Sequence, residues 1–313
     1  MNKKIVVLGG GTGMSTLLKG LKLFPVDITA IVSVCDDGQS TGRLRQEFNT
    51  PAVGDLRKVL TALSVTEPIF EKLVNYRFNT TSDLNGHTIG NLILTAMANI
   101  TGNMSSGVSE ISKIFNLKGT VLPLTEDNVI LMAQMNDESI VEGEHNITTT
   151  NKKIKKVFYK ETPVVCQNVI QAINEADLII LSMGSLYTSL IPNLICNEII
   201  EAIDNSKSKI MYVCNMMTQP GETDNYKVSN HLEVINSYLK ERKIDIVIAN
   251  DGIIDKEVKE KYQTKEQKDQ VYIDKLNKFD IELIHNDYVA IENEIIRHRV
   301  EKLALDIFAF LIK

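Results

Sequence analysis

The chain has 313 residues, 43% of them hydrophobic and 24% charged, and a net charge of −6. That is enough apolar material for one large α/β domain or two modest ones, and the acidic balance argues against a general nucleic-acid binder, which shows a basic surface. No apolar run reaches the length of a membrane span or a signal-peptide core. The cysteines Cys35, Cys166, Cys196 and Cys214 form no C-x-x-C pair and lack zinc spacing, so a cytoplasmic protein with reduced core thiols is expected.

An apolar run at 4–8 leads into Gly9-Gly10-Gly11-Thr12-Gly13 and then a helical pattern over 14–23. A buried strand ending this way delivers the chain to a phosphate-sized anion, because glycine lets the backbone come close and the helix start offers free N–H groups. A helix start favours an anion by only about 0.3–1 kcal/mol, so other groups must help. Neither named phosphate loop is matched. Starting the dinucleotide fingerprint at Gly9 puts Met14 where the third glycine belongs, and Gly13 is followed by Met14-Ser15 rather than Lys-Ser/Thr. A tight turn without a ligand is the alternative.

A second strand, 28–34, ends in the polar loop 35–43. Residues 55–117 are almost wholly helical in pattern, with helices at 56–64, 69–76, 89–100 and 108–115. Residues 120–161 alternate and read as an antiparallel insertion, with strands near 129–134 and 154–159; Lys152, Lys153, Lys155 and Lys156 suit an exposed sheet edge. Strand-length runs return at 178–182, 210–215 and 244–249, and helical patterns at 194–204 and 228–240. The charged stretch 256–270 reads as a solvated helix or loop rather than a binding patch, and an amphipathic helix over 300–312 closes the chain. Near-continuous Val, Ile and Leu runs mark strands covered on both faces, and their alternation with helices predicts a doubly wound parallel sheet.

Ligands of such sheets bind beyond the carboxyl ends of the strands, and five strand ends carry unusual polar loops. Gly10, Gly11, Thr12 and Gly13 offer backbone donors. Gly184 and Ser185 form a second such turn, with Thr188, Ser189 and the ring of Tyr187 nearby in sequence. Asn215, Thr218 and Gln219 suit sugar or base edges. Ser40 and Arg43 lie in the second loop, and a guanidinium on a phosphate is worth about 1.5–3 kcal/mol; Arg45 and Arg297 are further candidates. Asp36 and Asp37 sit where a dinucleotide fold places its ribose acid. They could face hydroxyls, hold Mg²⁺ with Asp251, or cap a following turn. His87 opens a helical pattern with Asn91 one turn on; it could touch a phosphate, act as an acid, or be structural. No nucleophile has an evident base, so any group transfer would rest on positioning and a metal.

The strings GGGTG, DDGQSTGRLR, VGDLR (53–57), HTIGN (87–91), GSLYTSLIPN (184–193) and NMMTQPGET closely resemble the bacterial gluconeogenesis-factor family, the YvcK-type proteins. That family is a branch of the superfamily containing 2-phospho-L-lactate transferase (CofD-like). The resemblance implies a Rossmann-like three-layer α/β/α sandwich, one domain over 1–313, containing the helical excursion at 55–117 and the antiparallel insertion at 120–161. It also implies a UDP-sugar ligand of the UDP-N-acetylglucosamine type. The role implied is that of a non-catalytic regulator of cell shape and envelope synthesis under gluconeogenic growth, acting with a protein partner in envelope-precursor synthesis. Homo-oligomerisation is left open, and no NAD is expected. The alternative is a Mg-dependent transferase or hydrolase acting on a diphosphate-linked donor. Two departures bear on loop shape: Gln39 and Thr41 stand where the family has glycine and serine, and Ser182-Met183 where it has Gly-Pro.

Overall fold

The structure, a computed structural model, describes residues 2–150, 152–292 and 295–313. In chain order it begins with β1 (Lys3–Gly9), β2 (Val26–Val32) and β3 (Thr120–Pro123), followed by β4 (Leu131–Met135), β5 (Ile140–Glu142) and β6 (Ile154–Tyr159). Then come β7 (Leu178–Leu181), β8 (Lys209–Val213), β9 (Ile246–Asn250), β10 (Glu282–Asn286), β11 (Val289–Glu292) and β12 (Ile295–His298). Seven strands make one sheet in the order β10-β9-β8-β7-β1-β2-β3, every pairing parallel. Helices cover it, giving the Rossmann-like α/β architecture. All four residues of β7, Leu-Ile-Ile-Leu, are buried, as two-sided covering demands. The strand order turns around between β1 and β7, and in open α/β sheets that switch point is where a crevice forms.

The helix α1 (Gly11–Leu21) buries Met14, Leu17, Leu18 and Leu21, an i, i+3, i+4, i+7 stripe against the sheet. At Gly20 a methyl group would overlap Val300, so this glycine lets the C-terminal helix (Val300–Leu311) lie close. Between β2 and β3 run α2 (Gln39–Phe48), α3 (Gly54–Leu63), α4 (Pro68–Asn75), α5 (Ile89–Thr101) and α6 (Met104–Ile114). The helical excursion is therefore the long crossover that a parallel return to the sheet requires.

Four features differ from the sequence reading. Residues 39–43, taken as part of the loop, open α2; their polar composition hides the start of a helix that buries Leu44 and Arg45. Thr120–Pro123 does not join the antiparallel strands but pairs in parallel with β2 at the edge of the main sheet. β10 and the β11–β12 hairpin were not anticipated, because their faces are only half covered. The antiparallel sheet itself is ordered β5-β4-β6, with β6 at its edge as the lysine run suggested. There Lys155 pairs with Glu138, and Lys152 with Asp137. Among the described residues no helix is long and apolar enough to cross a membrane.

Candidate functional site

Three strand ends meet at the switch point. β1 ends at Gly9, and the chain enters α1 through Gly11, whose φ of +67° disfavours any side chain. At Gly13 the constraint is contact: a methyl group would overlap the carbonyl oxygen of Met183, so the β1 and β7 turns touch only because this residue has none. Beyond β7 the chain passes Gly184 and Ser185 into a π-helical turn, Leu186–Leu190, closed by the Leu190 N–H donating to the Ser185 carbonyl at 3.0 Å. Such turns recur at functional sites.

Asn215, at the end of β8, clamps the β7 turn from both sides. Its Oδ1 accepts from the Gly184 N–H at 2.9 Å, and its Nδ2 donates to the Gly184 carbonyl at 2.6 Å. Beneath them Glu222, only 4% exposed, accepts from Ser185 Oγ at 2.5 and 2.6 Å, from Gln219 Nε2 at 2.6 Å and from the Tyr187 N–H at 3.1 Å. Burial pushes its carboxyl pKa up, opposed by the bonds from Ser185, Tyr187 and Thr188.

These turns enclose a cleft of about 820 Å³ at the carboxyl edge of the sheet. Of the residues singled out in the sequence, Gly10, Gly11, Thr12, Gly13, Asp36, Gly184, Ser185, Thr188, Asn215, Thr218, Gln219 and Arg297 all line it. Segments more than two hundred residues apart in the chain thus share one cavity. Sequence reasoning missed Asp55, Lys58, Glu144, Tyr262 and His298, which also line it. Asp55 was within reach, since it stands in the VGDLR string with Lys58 one residue past it. Glu144 and Tyr262 carried no local signal.

The electrostatics of the cleft are mixed. Asp55 is paired with Lys58 at 2.9 Å, and burial raises its pKa. Glu144, the first residue of α7 (Glu144–Thr149), has its pKa pushed up to about 8, first by burial and then by the charges of Asp36, Asp55 and Asp37. At neutral pH it is therefore a carboxylic acid able to donate a proton. His298 is pushed down to about 4 by burial and stays a neutral imidazole. Positive charge comes from Lys58, Lys268 and Arg297, the last making no ion pair among the described residues.

The cover of the cleft is the helix Lys256–Glu266 together with β11–β12. The Ile296 N–H donates to the Tyr262 hydroxyl at 2.7 Å, joining the two pieces. Thr218 and Asp269 exchange hydrogen bonds at 2.7 and 2.8 Å, fixing the cover to the β8 turn. This corrects the reading of 256–270 as uninvolved: Tyr262, Glu266 and Lys268 face the cavity. The segment gave no sign of it because Tyr262 is the one residue its helix buries.

Eight expected residues lie outside the cleft lining. Asp37 turns away and accepts from the His145 N–H at 2.7 Å, capping α7. Asp251 pairs with His285 at 2.5 Å, and of Asp36, Asp37 and Asp251, Asp36 alone lines the cleft. Among the described residues, no group of three or more His, Cys, Asp or Glu is placed to hold a metal ion. Tyr187 is buried, its hydroxyl 3.2 Å from that of Tyr226. Arg43 reaches the carbonyls of Asp83 and Asn85 instead of a phosphate turn. Ser40, His87 and Asn91 are buried together in one hydrogen-bonded chain. Arg45 is likewise occupied, by the carbonyls of Cys35, Asp36 and Val129.

A family model described as 2-phospho-L-lactate transferase CofD matches residues 5–289. The chain is 45% identical over 303 residues to a Bacillus subtilis protein named gluconeogenesis factor, covering 96% of each. It is 37% identical over 311 residues to a Listeria monocytogenes protein of the same name, covering 98% of this chain and 95% of that one. A crystal structure of a Bacillus halodurans protein superimposes with a TM-score of 0.95 at 43% identity, over 98% of this chain and 100% of that one.

Proposed function

The chain belongs to the CofD family, among the relatives named gluconeogenesis factor, and from that premise we propose that it binds a UDP-sugar in the switch-point cleft as a regulator. The ligand is of the UDP-N-acetylglucosamine type. In the cytoplasm, acting with a protein partner in envelope-precursor synthesis, it adjusts envelope synthesis and cell shape during growth on gluconeogenic carbon. One observation carries the reading: the glycine turn before α1, the amide and hydroxyl groups of Asn215, Thr218 and Gln219, and Arg297 face a single cavity. Backbone donors at a helix start suit a diphosphate, a guanidinium adds charge-assisted bonds, and the amides suit sugar or uracil edges. Calorimetry with the purified chain and UDP-N-acetylglucosamine, with and without Mg²⁺, tests it. Saturable heat that UDP competes away is expected; no heat with any UDP-sugar at millimolar concentration removes the reading.

A transferase or hydrolase acting on a diphosphate-linked donor is the second reading, favoured by the protonated Glu144 beside the cavity. A carboxyl whose pKa is raised towards neutrality is poised to give a proton to a leaving oxygen. Incubation with UDP-sugars and product analysis separates the two, since release of UDP or transfer to an acceptor selects the enzyme.

A further inference from the structure

The helical excursion presents an apolar surface to the outside. Among the described residues, 65–114 hold seven of the seventeen exposed large apolar side chains, so this exposure is concentrated rather than scattered as on an ordinary surface. α5 is apolar on two opposite sides. One side buries Leu94 and Ala98 together with Asn91 and Thr95. The other carries Ile89, Ile93, Ala96 and Ile100, spaced i, i+4, i+7, i+11, the seam by which one helix packs on another. Ile100 is 76% exposed, Ala96 is exposed, and Ile89 and Ile93 are partly so. α4 repeats the arrangement: Val74 is buried, while Ile69, Leu73 and, just past the helix end, Tyr76 are 71%, 50% and 53% exposed. The two helices are joined where the Ile89 N–H donates to the Tyr76 carbonyl at 3.1 Å, and where a methyl group on Gly90 would overlap Val74. Tyr76 therefore stands beside the first residue of the α5 seam.

Charge, symmetry and area together select the occupant. Residues 84–109 contain no Asp, Glu, Lys or Arg, in a chain that is 24% charged and carries a net −6. A partner recognised through charge finds nothing there to pair with. Two copies of one acidic chain repel each other over most of their surface, and least across a neutral face. The seam is also its own complement. A two-fold axis crossing α5 midway between Ile93 and Ala96 sets two copies antiparallel, with Ile89 against the partner's Ile100 and Ile93 against the small side chain of the partner's Ala96. A stable interface buries about 800 Å² per partner, about 65% of it apolar in homodimers. At about 200 Å² for a fully exposed large side chain, Ile69, Leu73, Tyr76 and Ile100 alone present about 500 Å².

We propose that the α4–α5 face is the two-fold interface of a homodimer, in which a second copy lays its own α5 antiparallel across this one. The proposal goes beyond the cleft and is independent of what fills it.

Sedimentation velocity of the full chain, from sub-micromolar to high micromolar concentration, is the test. A reversible dimer is expected. Ile100→Glu and Ala96→Glu each put a charge into the seam at an exposed position, so helical dichroism should stay unchanged while the dissociation constant rises at least about tenfold. Leu305→Glu, at a 50% exposed leucine of the C-terminal helix, should leave the dimer intact. Register is read by oxidation, with the unmutated chain as the blank. Ile89→Cys mixed with Ile100→Cys should form a disulfide-linked dimer that neither variant forms alone, since like positions lie about 16 Å apart along the antiparallel helices. A chain that stays monomeric throughout overturns the proposal and leaves the face to another protein. A dimer that both glutamates leave intact overturns it too, as does cross-linking by either cysteine variant alone.

Discussion

On its sheet side the cleft has no slack: the Gly13 turn presses on the Met183 carbonyl, Asn215 grips Gly184 by two hydrogen bonds, and Glu222 ties Ser185 to Gln219 beneath them. Across the cavity the cover is fastened at few points. The helix Lys256–Glu266 buries Tyr262 alone, and Arg297 stands exposed on β12. One wall is thus shaped before any ligand arrives, while the other can adjust with little loss of packing. A ligand with a constant diphosphate and a variable sugar would make use of that division, the fixed wall reading what is shared and the cover what differs.

The contrast breaks most sharply at Gly13. Replacing it with alanine drives a methyl into a main-chain oxygen that the π-helical turn cannot easily move, so we expect a loss of about 3 kcal/mol in urea unfolding, with ligand binding lost as well. Glu222→Ala removes the acceptor for Ser185, Gln219 and the Tyr187 N–H. Those buried donors would be left unsatisfied, costing about 2–3 kcal/mol, read as a lowered melting temperature. A fixed wall that tolerated both changes would not be fixed. On the cover, Arg297→Ala should do the reverse, leaving melting unchanged while UDP-sugar affinity falls about tenfold to a hundredfold by calorimetry.

The same division explains what could be read from the sequence. Two-sided burial leaves continuous apolar runs, so β1, β7, β8 and β9 were legible, and the rule that crevices lie at strand ends placed residues 10–13, Asn215 and Thr218 together. Edge and cover elements have one covered face at most; β10 and β11–β12 therefore left no pattern. Glu144 reaches the cleft only because the antiparallel sheet and α7 pack against the π-helical turn Leu186–Leu190, a tertiary event without a local trace. His87 and Arg43 show a third limit. Their strings were recognisable, yet which way a side chain points is set by how α2 and α5 pack, and that packing turned them from the cleft.

Acidity offers a subtler test of the wall. Glu144 holds its proton to about pH 8 in the folded chain but would lose it near 4.5 when unfolded. Between those values the native state binds more protons than the unfolded one, so this group's contribution to stability is full below 4.5 and is lost as pH rises towards 8. The raised carboxyls of Asp55 and Glu222 act in the same direction. Melting temperature should fall over that window, and Glu144→Gln should flatten the fall. Affinity for an anionic ligand should also drop above pH 8, as a new negative charge appears beside Asp36 and Asp55.

Tyr262→Phe is the smallest change and the one aimed at the cover alone. It deletes an acceptor for the Ile296 N–H, at 2.7 Å, while keeping the ring that anchors the helix. That N–H then has only water to turn to, and a single neutral hydrogen bond is worth about 1 kcal/mol. If the cover is fastened at few points, even this loss should speed proteolytic cutting within 256–270 several-fold and leave global melting nearly untouched. Cutting at an unchanged rate, or melting that falls along with it, would mean that cover and wall unfold as one unit and that the two sides of the cleft do not differ in the way proposed.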